Sequence, residues 1–341
     1  MIITQTPFRM SFFGGGTDME SFFTKHGGAV LSSTFDKYCY VNVRHLPRFF
    51  DYSTELSYSR TERVTNIQDI EHPAIRNAMQ MLNMQEIRLT YEADLPARSG
   101  LGTSSSFAVG MLSAFYALKG KYASKKQLAD EAIYLERVLC DEAGGWQDQI
   151  AASYGGFNRI NFNTDGTYDV LPVIISPERK KKLNDNLMMF FTGFTRFSSD
   201  VQKANSSTLE TQAEKENRLL EMLSLVDQAE NILTNKSVDL DEFGKLLDHT
   251  WKLKRQTGSA VSTNNIDELY ARGMAAGALG GKLLGAGGGG FLVFYVQAQY
   301  QKAVREAMND LLYIPFKFED GGSRVIHYTP ETFVPLEDRG E

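Results

Sequence analysis

Glycine constrains this chain more than any other residue, because it is clustered rather than spread. The chain has 341 residues and 29 glycines. An ordered glycine loses more conformational freedom than other residues, so a cluster indicates a sharp turn or a close approach of the backbone to another group. We therefore expect several loops of special geometry. The conspicuous groups are Gly14–Gly16, Gly100 with Gly102, Gly144–Gly145, Gly155–Gly156 and Gly285–Gly290.

Length and charge limit the class of protein. A chain of 341 residues is too long for one ordinary compact core and predicts two domains. The formal net charge is -6, whereas binding to nucleic acid requires a clustered basic surface. The single dense basic run, Arg179–Lys182, is typical of a solvated turn. We expect no nucleic-acid partner.

Cysteine usage and hydropathy suggest the compartment. Two cysteines, Cys39 and Cys140, do not make a disulfide framework and fit a reducing environment. The first sixteen residues lack the charged region of a secretory signal, and no window approaches the roughly 20 apolar residues of a membrane helix. We expect a cytoplasmic protein without a membrane partner. A monomer and a homodimer are both compatible with the sequence.

Hydrophobic periodicity predicts alternating strands and helices. Strict alternation over Glu86–Ala93 predicts a half-buried strand, and Ser124 with Gln127 forms a capping-box pattern that opens a helix. We place the domain boundary at residue 175, within a transition between 165 and 186. Further strands are predicted at 38–44, 157–162, 187–194, 281–284, 291–296, 314–318 and 323–328, and helices at 104–120, 124–140, 199–234, 239–256, 266–278 and 298–312.

The segment PARSGLGTSSS, residues 96–106, lies between a predicted strand and a predicted helix. A helix N-terminus offers free N–H groups and a partial positive charge, which suit a polyphosphate. Gly100 and Gly102 let the backbone approach phosphate oxygens, and the hydroxyls of residues 103–106 suit phosphate or magnesium. The alternative is an ordinary helix cap, which needs one hydroxyl rather than four. The pattern is neither a Walker A loop nor a dinucleotide fingerprint.

Glu136 is a carboxylate inside the apolar stripe of the helix predicted at 124–140. A buried carboxylate is costly unless it is paired or bound to a cation. Magnesium is one explanation, favoured by the serine-rich loop upstream, and a pair with Arg137 or another base at the helix edge is the other.

Asp148 follows the double glycine Gly144–Gly145 and precedes a short apolar helix. Kinases often place a base near the acceptor hydroxyl. From spacing alone, however, an acid that favours the helix dipole explains Asp148 better.

Two further glycine segments flank this region of the sequence. PFRMSFFGGGTD, residues 7–18, combines Arg9, a glycine turn and Asp18, a carboxylate that either binds polyol hydroxyls or caps the turn. KLLGAGGGG, residues 282–290, has more glycines than a hairpin needs. It predicts close approach of the backbone to a ligand or to another loop.

Taken in order, these three motifs resemble those of the GHMP kinases, the superfamily named after galactokinase, homoserine kinase, mevalonate kinase and phosphomevalonate kinase. The resemblance covers nearly the whole chain, and GGGTD and GGWQDQ favour the branch of sugar-1-kinases, in particular those that act on a heptose phosphate. It implies an α+β fold of two domains. The N-terminal domain, residues 1–175, would be like ribosomal protein S5 domain 2, and the C-terminal domain, residues 176–341, would be ferredoxin-like. Leu284 departs from the Ser or Thr of many members.

The resemblance also implies roles for individual residues. Asp148 would be the catalytic acid–base beside Arg9, and Ser104 and Glu136 would bind Mg²⁺. The residues implied for ATP binding are Gly100, Leu101, Gly102, Thr103, Ser104, Ser105, Ser106, Gly287, Gly288 and Gly289, of which the last three would brace the phosphate loop. The residues implied for binding the sugar are Gly16, Thr17, Asp18, Gly145 and Arg196.

The implied reaction is transfer of phosphate from ATP to the anomeric hydroxyl of a sugar or sugar phosphate. A phosphorylated acceptor needs cations, for which Arg98, Arg196 and Lys203 are candidates, although a surface salt bridge explains Arg196 equally well. The alternatives are an L-fucose kinase, a decarboxylase that acts after phosphorylation, and a non-catalytic sensor on the same fold.

Overall fold

The structure is a computed structural model that describes residues 1–97, 99–193, 211–256, 261–285 and 287–329. Its described part contains two β-sheets with helices packed against them. The predicted alternation of strands and helices is therefore present, and the two sheets account for the mixed α and β character that the sequence predicts.

The first sheet is built around two long strands, β1 (Ile2–Phe13) and β2 (Gly28–His45), which pair antiparallel. The other strands of this sheet are β3 (Thr54–Ser57), β4 (Thr61–Val64), β5 (Ile87–Ala93), β6 (Phe157–Phe162), β7 (Tyr168–Pro172), β12 (Phe318–Glu319) and β13 (Arg324–Tyr328). The strand order is β13-β1-β2-β5-β3-β4, and in addition β6 and β12 pair with β2, and β7 pairs with β6.

The second sheet is antiparallel, with the order β11-β8-β10-β9. Its strands β9 and β10 are buried along their whole length, because helices cover one side of them and apolar residues of the first sheet lie on the other. The strands are β8 (Leu187–Gly193), β9 (Gly280–Leu283), β10 (Gly290–Tyr295) and β11 (Leu312–Ile314).

Ten α-helices lie within the described residues. They are α1 (Glu20–His26), α2 (Pro73–Met81), α3 (Thr103–Leu118), α4 (Lys125–Ile133), α5 (Gln147–Tyr154), α6 (Pro177–Asn186), α7 (Gln212–Thr234), α8 (Asp241–Arg255), α9 (Asn264–Ala275) and α10 (Gln301–Ala307). The predicted cap of α4 is present, since Ser124 accepts a hydrogen bond from the backbone N–H of Gln127 at 3.1 Å. None of the described helices is both long and apolar enough to cross a membrane.

Helix α3 packs on β1 and β2, and this contact fixes the position of its N-terminus. Most of its length is buried. Such close packing requires a small residue at the point where the helix meets the sheet. A Cβ on Gly110 would lie 2.7 Å from the hydroxyl of Thr6, and the carbonyl of Gly110 accepts a hydrogen bond from Thr4 at 2.8 Å. The helix therefore lies close against the sheet.

One hydrophobic cluster joins the two halves of the chain. The ring of Phe12 on β1 lies 5.5 Å from that of Phe243 on α8, and both belong to a cluster that also contains Val226 of α7 and Phe291 of β10. In addition, β12 and β13 return from the end of the described chain to the first sheet. The division at residue 175 stays a prediction, and the sheets do not follow it strictly.

Most predicted elements differ from the observed ones at their ends. Two predictions are wrong: the strand predicted at 314–318 falls largely between β11 and β12, and the basic run Arg179–Lys182 lies in α6 rather than in a turn. The helix predicted at 124–140 is α4 followed by a π-helical turn, Tyr134–Leu139. The predicted helix at 298–312 is a 3₁₀ turn and the short α10. Residues 199–210 of the helix predicted at 199–234 lie outside the described residues.

Candidate active site

The loop between β5 and α3 has the backbone geometry that a phosphate cradle requires. Gly100 has a φ of 80° and Gly102, which caps α3, has a φ of 73°, both in the left-handed region that favours glycine. Gly102 has no side chain, so no side chain of the N-cap residue occupies the N-terminus of the helix. The sixteen-residue helix thus presents a positive N-terminus beneath this loop.

The hydroxyls that follow the loop are not equivalent. Ser104 is exposed and donates a hydrogen bond to Oε1 of Glu136 at 2.8 Å. Ser105 is buried and donates to Oε2 of the same carboxylate at 2.6 Å, while Ser106 donates to the carbonyl of Pro7 at 2.9 Å. Among these three serines, Ser104 alone presents its hydroxyl to the surface of the site.

Glu136 is buried, as its place in the apolar stripe predicts, with 1% of its surface exposed. It lies in the π-helical turn that follows α4 and accepts hydrogen bonds from Ser104, Ser105 and the side-chain amide of Gln149. The guanidinium of Arg137 is 3.8 Å away, beyond hydrogen-bonding distance. The pairing of Glu136 with Arg137 is therefore weak beside its contacts with the phosphate loop.

Arg9 connects the phosphate loop to Asp148. Its Nε and Nη2 donate to the two carboxylate oxygens of Asp148, each at 2.7 Å, and its Nη1 donates to the carbonyl of Gly100 at 2.7 Å. Its backbone N–H also donates to the carbonyl of Leu101 at 3.1 Å. Asp148 lies in the first turn of α5, and its side chain is 24% exposed. The pair is bidentate, and part of the carboxylate stays exposed beside Gly102, on the side of the site that we call the cleft.

Asp18 is held against the backbone of two glycine segments. Oδ1 accepts from the N–H of Gly16 at 2.9 Å and Oδ2 accepts from that of Gln147 at 3.3 Å. A Cβ on Gly145 would lie 1.8 Å from Oδ2, so any larger residue here would displace this carboxylate. Burial raises the pKa of Asp18, the N–H of Gly16 lowers it, and the charge of Asp148 raises it.

Thr17 is fully buried, and its hydroxyl donates toward the carbonyls of Gly14 at 2.8 Å and Ala29 at 2.9 Å. It also accepts from the N–H of Ala29 at 3.1 Å. These contacts hold the glycine turn on β2, so the hydroxyl is engaged by the protein itself rather than directed to the cleft.

The third glycine loop approaches the phosphate loop, as one of the two alternatives predicted. A Cβ on Gly285 would lie 2.2 Å from Cα of Gly100, and one on Gly290 would lie 2.3 Å from the carbonyl oxygen of Ser99. Gly287 instead lies against Val261, whose carbonyl accepts from the N–H of Gly288 at 3.1 Å. The bracing predicted for Gly287–Gly289 thus falls on Gly285 and Gly290, because these two glycines begin and end the loop where it crosses Ser99–Gly100.

The sequence patterns did not identify two lysines that lie near the site. Lys282 of β9 is 3% exposed and donates to the carbonyl of Phe12 at 2.8 Å. Lys254 of α8 is half-buried and donates to the carbonyl of Gly285. A lysine within the apolar strand GGKLLG was a sequence signal for Lys282, whereas Lys254 lies among charged neighbours and gave none.

Two polar side chains beside the N-terminal glycine turn were missed as well. The hydroxyl of Ser11 and Oε1 of Gln147 are buried and have no hydrogen-bond partner among the residues that the structure describes. A Cβ on Gly15 would lie 3.6 Å from that hydroxyl and 3.8 Å from Nε2 of Gln147. Ser11 follows Arg9 by two residues on a strand, a period that places both on one face and could have identified it.

The three candidate cations for a phosphorylated acceptor, Arg98, Arg196 and Lys203, lie outside the described residues. Within the described residues there is no group of three or more His, Cys, Asp or Glu side chains that could hold a metal ion. Any metal here would therefore depend on few protein ligands together with the phosphates of a bound nucleotide.

A helix N-terminus under a glycine loop, beside a partly exposed aspartate that is fixed by an arginine, is the arrangement of a phosphotransferase acting on a small molecule. Comparison with known families agrees. Residues 65–156 match the GHMP kinases N terminal domain, and residues 230–314 match the GHMP kinases C terminal domain. The chain belongs to the GHMP kinase family and is an enzyme of that class, as the three motifs predicted. Members of this family use ATP as the phosphate donor.

Curated relatives match most of the chain. The D-glycero-alpha-D-manno-heptose 7-phosphate kinase of Campylobacter jejuni is 29% identical over 308 residues, which cover 86% of this chain and 89% of that protein. The bifunctional fucokinase/GDP-fucose pyrophosphorylase of Arabidopsis thaliana is 28% identical over 223 residues, 64% of this chain and 21% of that protein.

Solved structures confirm the predicted two-domain fold. A D-glycero-D-manno-heptose 1-phosphate kinase from Bacteroides thetaiotaomicron has a TM-score of 0.76 at 22% identity, covering 96% of this chain and 99% of that one. The galactokinase of Lactococcus lactis in complex with galactose has a TM-score of 0.68 at 16% identity, covering 95% and 94%.

Proposed function

We propose that the protein is an ATP-dependent sugar-1-kinase, which transfers the γ-phosphate of ATP to the anomeric hydroxyl of a sugar. The acceptor we propose is D-glycero-D-manno-heptose 7-phosphate, and the product is the 1,7-bisphosphate. The observation that carries this proposal is the bidentate pair of Arg9 and Asp148, which Arg9 also ties to Gly100 of the phosphate loop.

Asp148 is the residue proposed to receive or orient the proton of the acceptor hydroxyl. A carboxylate has about four acceptor positions, so the two bonds from Arg9 leave room for a hydroxyl. Arg9 fixes the carboxylate relative to Gly100, where the γ-phosphate would lie, and the hydroxyl oxygen then attacks phosphorus in line with the departing ADP. Such a reaction depends mainly on positioning and electrostatics.

The phosphate loop is proposed to hold the triphosphate of ATP. Gly100, Leu101 and Gly102 bring the backbone close to the oxygens, and the N–H groups of the first turn of α3 offset their charge. Thr103, Ser105 and Ser106 are buried, so we assign them a backbone contribution.

Ser104 and Glu136 are the residues proposed to hold Mg²⁺. The fit rests on the donor set, since an exposed hydroxyl and a carboxylate lie 2.8 Å apart at the edge of the loop, and both are oxygen ligands. When bound with ATP, the ion would neutralise charge on the phosphate oxygens.

Asp18 is proposed to bind sugar hydroxyls, with Gly16 and Gly145 giving its surroundings their shape. The similarity of this chain to a heptose 7-phosphate kinase over 86% of its length supports a heptose phosphate as acceptor. L-fucose is the second candidate, supported by the 28% identity to the Arabidopsis fucokinase. We also propose a cytoplasmic location, in keeping with this substrate class.

A coupled assay of ADP release over free and phosphorylated hexoses and heptoses tests the proposal. We expect turnover with the heptose 7-phosphate to exceed that with L-fucose. Activity on unphosphorylated sugars alone would exclude the heptose phosphate. Release of carbon dioxide would identify a decarboxylase, and nucleotide binding without turnover of any acceptor would identify a sensor.

A further inference from the structure

The described residues bring three cationic side chains from distant parts of the chain to the active site. Arg9 comes from β1, Lys254 from α8 and Lys282 from β9. The charge of Arg9 acts on both lysines, and that of Lys254 acts on Lys282. The two lysines belong to the second half of the chain, so both halves supply positive charge to one cleft.

These cations are not equally available to a ligand. Arg9 is engaged with the carboxylate of Asp148 and the carbonyl of Gly100. Lys282 is 3% exposed and donates to the carbonyl of Phe12, and burial together with the charges of Lys254 and Arg9 holds its pKa well below the usual value. Lys282 is therefore a structural donor that joins β9 to β1.

Lys254 differs from the other two, because it is half-buried and contacts a loop rather than a carboxylate or a strand of the first sheet. It donates to the carbonyl of Gly285, and Gly285 lies directly against Gly100 of the phosphate loop. The charge of Asp18, the proposed sugar-binding carboxylate, also acts on Lys254. The ammonium thus lies beside the contact of Gly285 with the phosphate loop, near the proposed position of the triphosphate.

We infer that Lys254 is a phosphate-binding residue of the active site, which contacts a phosphoryl group of a bound substrate. This inference rests on the proposed function. The phosphoryl group comes either from ATP during transfer or from the acceptor, and the chemistry of recognition is the same in both cases. Arg9 shares its positive charge with Asp148. The ammonium of Lys254 would supply a second positive charge near the transferred phosphoryl group.

The acid–base behaviour of Lys254 makes the inference testable. Burial and the charge of Arg9 lower its pKa to about 8, while Asp18 opposes the shift. The ammonium is present below that pH and is lost as the pH rises through it. A neutral amine still donates to the carbonyl of Gly285, so a residue that merely anchored the loop would keep its role at high pH.

The experiment compares wild type with Lys254→Met, Lys254→Arg and the control Lys252→Met. Lys252 lies on the same helix, is exposed and pairs with Asp248 at 2.6 Å. We expect kcat/KM of Lys254→Met to fall about tenfold or more at pH 7, as loss of a charged contact does. Wild-type activity should decline above pH 8, and Lys254→Arg should remove that decline because arginine stays charged.

Two acceptors identify which phosphate Lys254 contacts. A fall in kcat with both free and phosphorylated sugars indicates the transferred group, and a rise in KM for the phosphorylated sugar alone indicates the acceptor's phosphate. The inference is overturned if Lys254→Met stays within about twofold of wild type, or if it keeps the same alkaline decline.

Failure of the proposed function is distinguishable from failure of this inference. If wild type turns over no sugar, the proposed function fails, and calorimetric titration with inorganic pyrophosphate then tests Lys254 alone. We expect pyrophosphate to bind about tenfold more weakly to Lys254→Met than to Lys252→Met. Equal affinities would overturn the inference. Thermal unfolding of each variant confirms that it is folded.

Discussion

The guanidinium of Arg9 lies between the phosphate loop and Asp148, and this position determines what the site can do. It fixes the carboxylate through two bonds of 2.7 Å and binds Gly100 through a third. The sequence motifs identified both residues, but they are 139 positions apart, and spacing gives no information on their contact. Only the pairing of α5 with β1 in the fold brings them together.

Asp148→Asn should lower kcat by about 100-fold or more, since a positioned general base contributes that much to a transfer of this kind. An amide also cannot accept both bonds from Arg9. Steady-state kinetics measures the effect, with the exposed Asp169→Asn as control. A loss below about tenfold, ~1.4 kcal/mol of barrier, would contradict the assignment of Asp148 as base.

Gly145→Ala should disturb the binding of the acceptor. The new methyl group would overlap Oδ2 of Asp18, which would have to leave the N–H groups of Gly16 and Gln147. We expect KM for the sugar to rise about tenfold, with KM for ATP nearly unchanged. Gly15→Ala is the matched control, because its Cβ would meet nothing closer than 3.6 Å. An unchanged KM for the sugar would argue against a role of Asp18 in binding it.

At the scale of elements, the π-helical turn after α4 is the feature that periodicity could not predict. A regular helix over 124–140 would place Leu139 on the same stripe as Glu136, three residues earlier, but Leu139 is 37% exposed. The turn bonds the N–H of Cys140 to the carbonyl of Leu135, which rotates the helix end by one residue. Glu136 remains buried against Ser104 and Ser105. A regular period of 3.6 residues contains no signal for this insertion.

Glu136→Gln should weaken the binding of Mg²⁺. Three donors, from Ser104, Ser105 and Gln149, point at the carboxylate, and an amide would oppose one of them with its own N–H groups. We expect a loss of about 1–3 kcal/mol in stability and a higher Mg²⁺ concentration for half-maximal activity. Denaturant unfolding and a magnesium titration measure both.

Glu131→Gln is the control for Glu136→Gln, because Glu131 lies on α4 and accepts from Tyr116 at 2.7 Å, away from the loop. If both variants show the same Mg²⁺ dependence as wild type, Glu136 has no role in binding the ion.

At the scale of the whole molecule, the site is assembled from both halves of the chain. The order of the glycine motifs predicted the family and the two-domain fold, because each motif is local in sequence. The contact of Gly285 and Gly290 with Ser99–Gly100 is not local. The return of β12 and β13 to the first sheet is equally invisible to local patterns, since strand pairing depends on partners far along the chain.

A fragment of residues 1–175 should not unfold cooperatively on its own. It lacks β12 and β13, and it would expose the face of β1 that packs on Phe243 and Val226. Circular dichroism during thermal unfolding, with the full chain as reference, tests this expectation. A sharp transition like that of the full chain would show that the first predicted domain is independent.

The most direct test of the account is the identity of the product. The enzyme is incubated with ATP, Mg²⁺ and the acceptor with which it releases ADP fastest. Phosphorus NMR then locates the new phosphate. The account predicts a phosphorus resonance coupled to the anomeric proton, formed in equal amount to ADP and lost with Asp148→Asn. A phosphate on any other carbon, or ADP released without a new sugar phosphate, would contradict it.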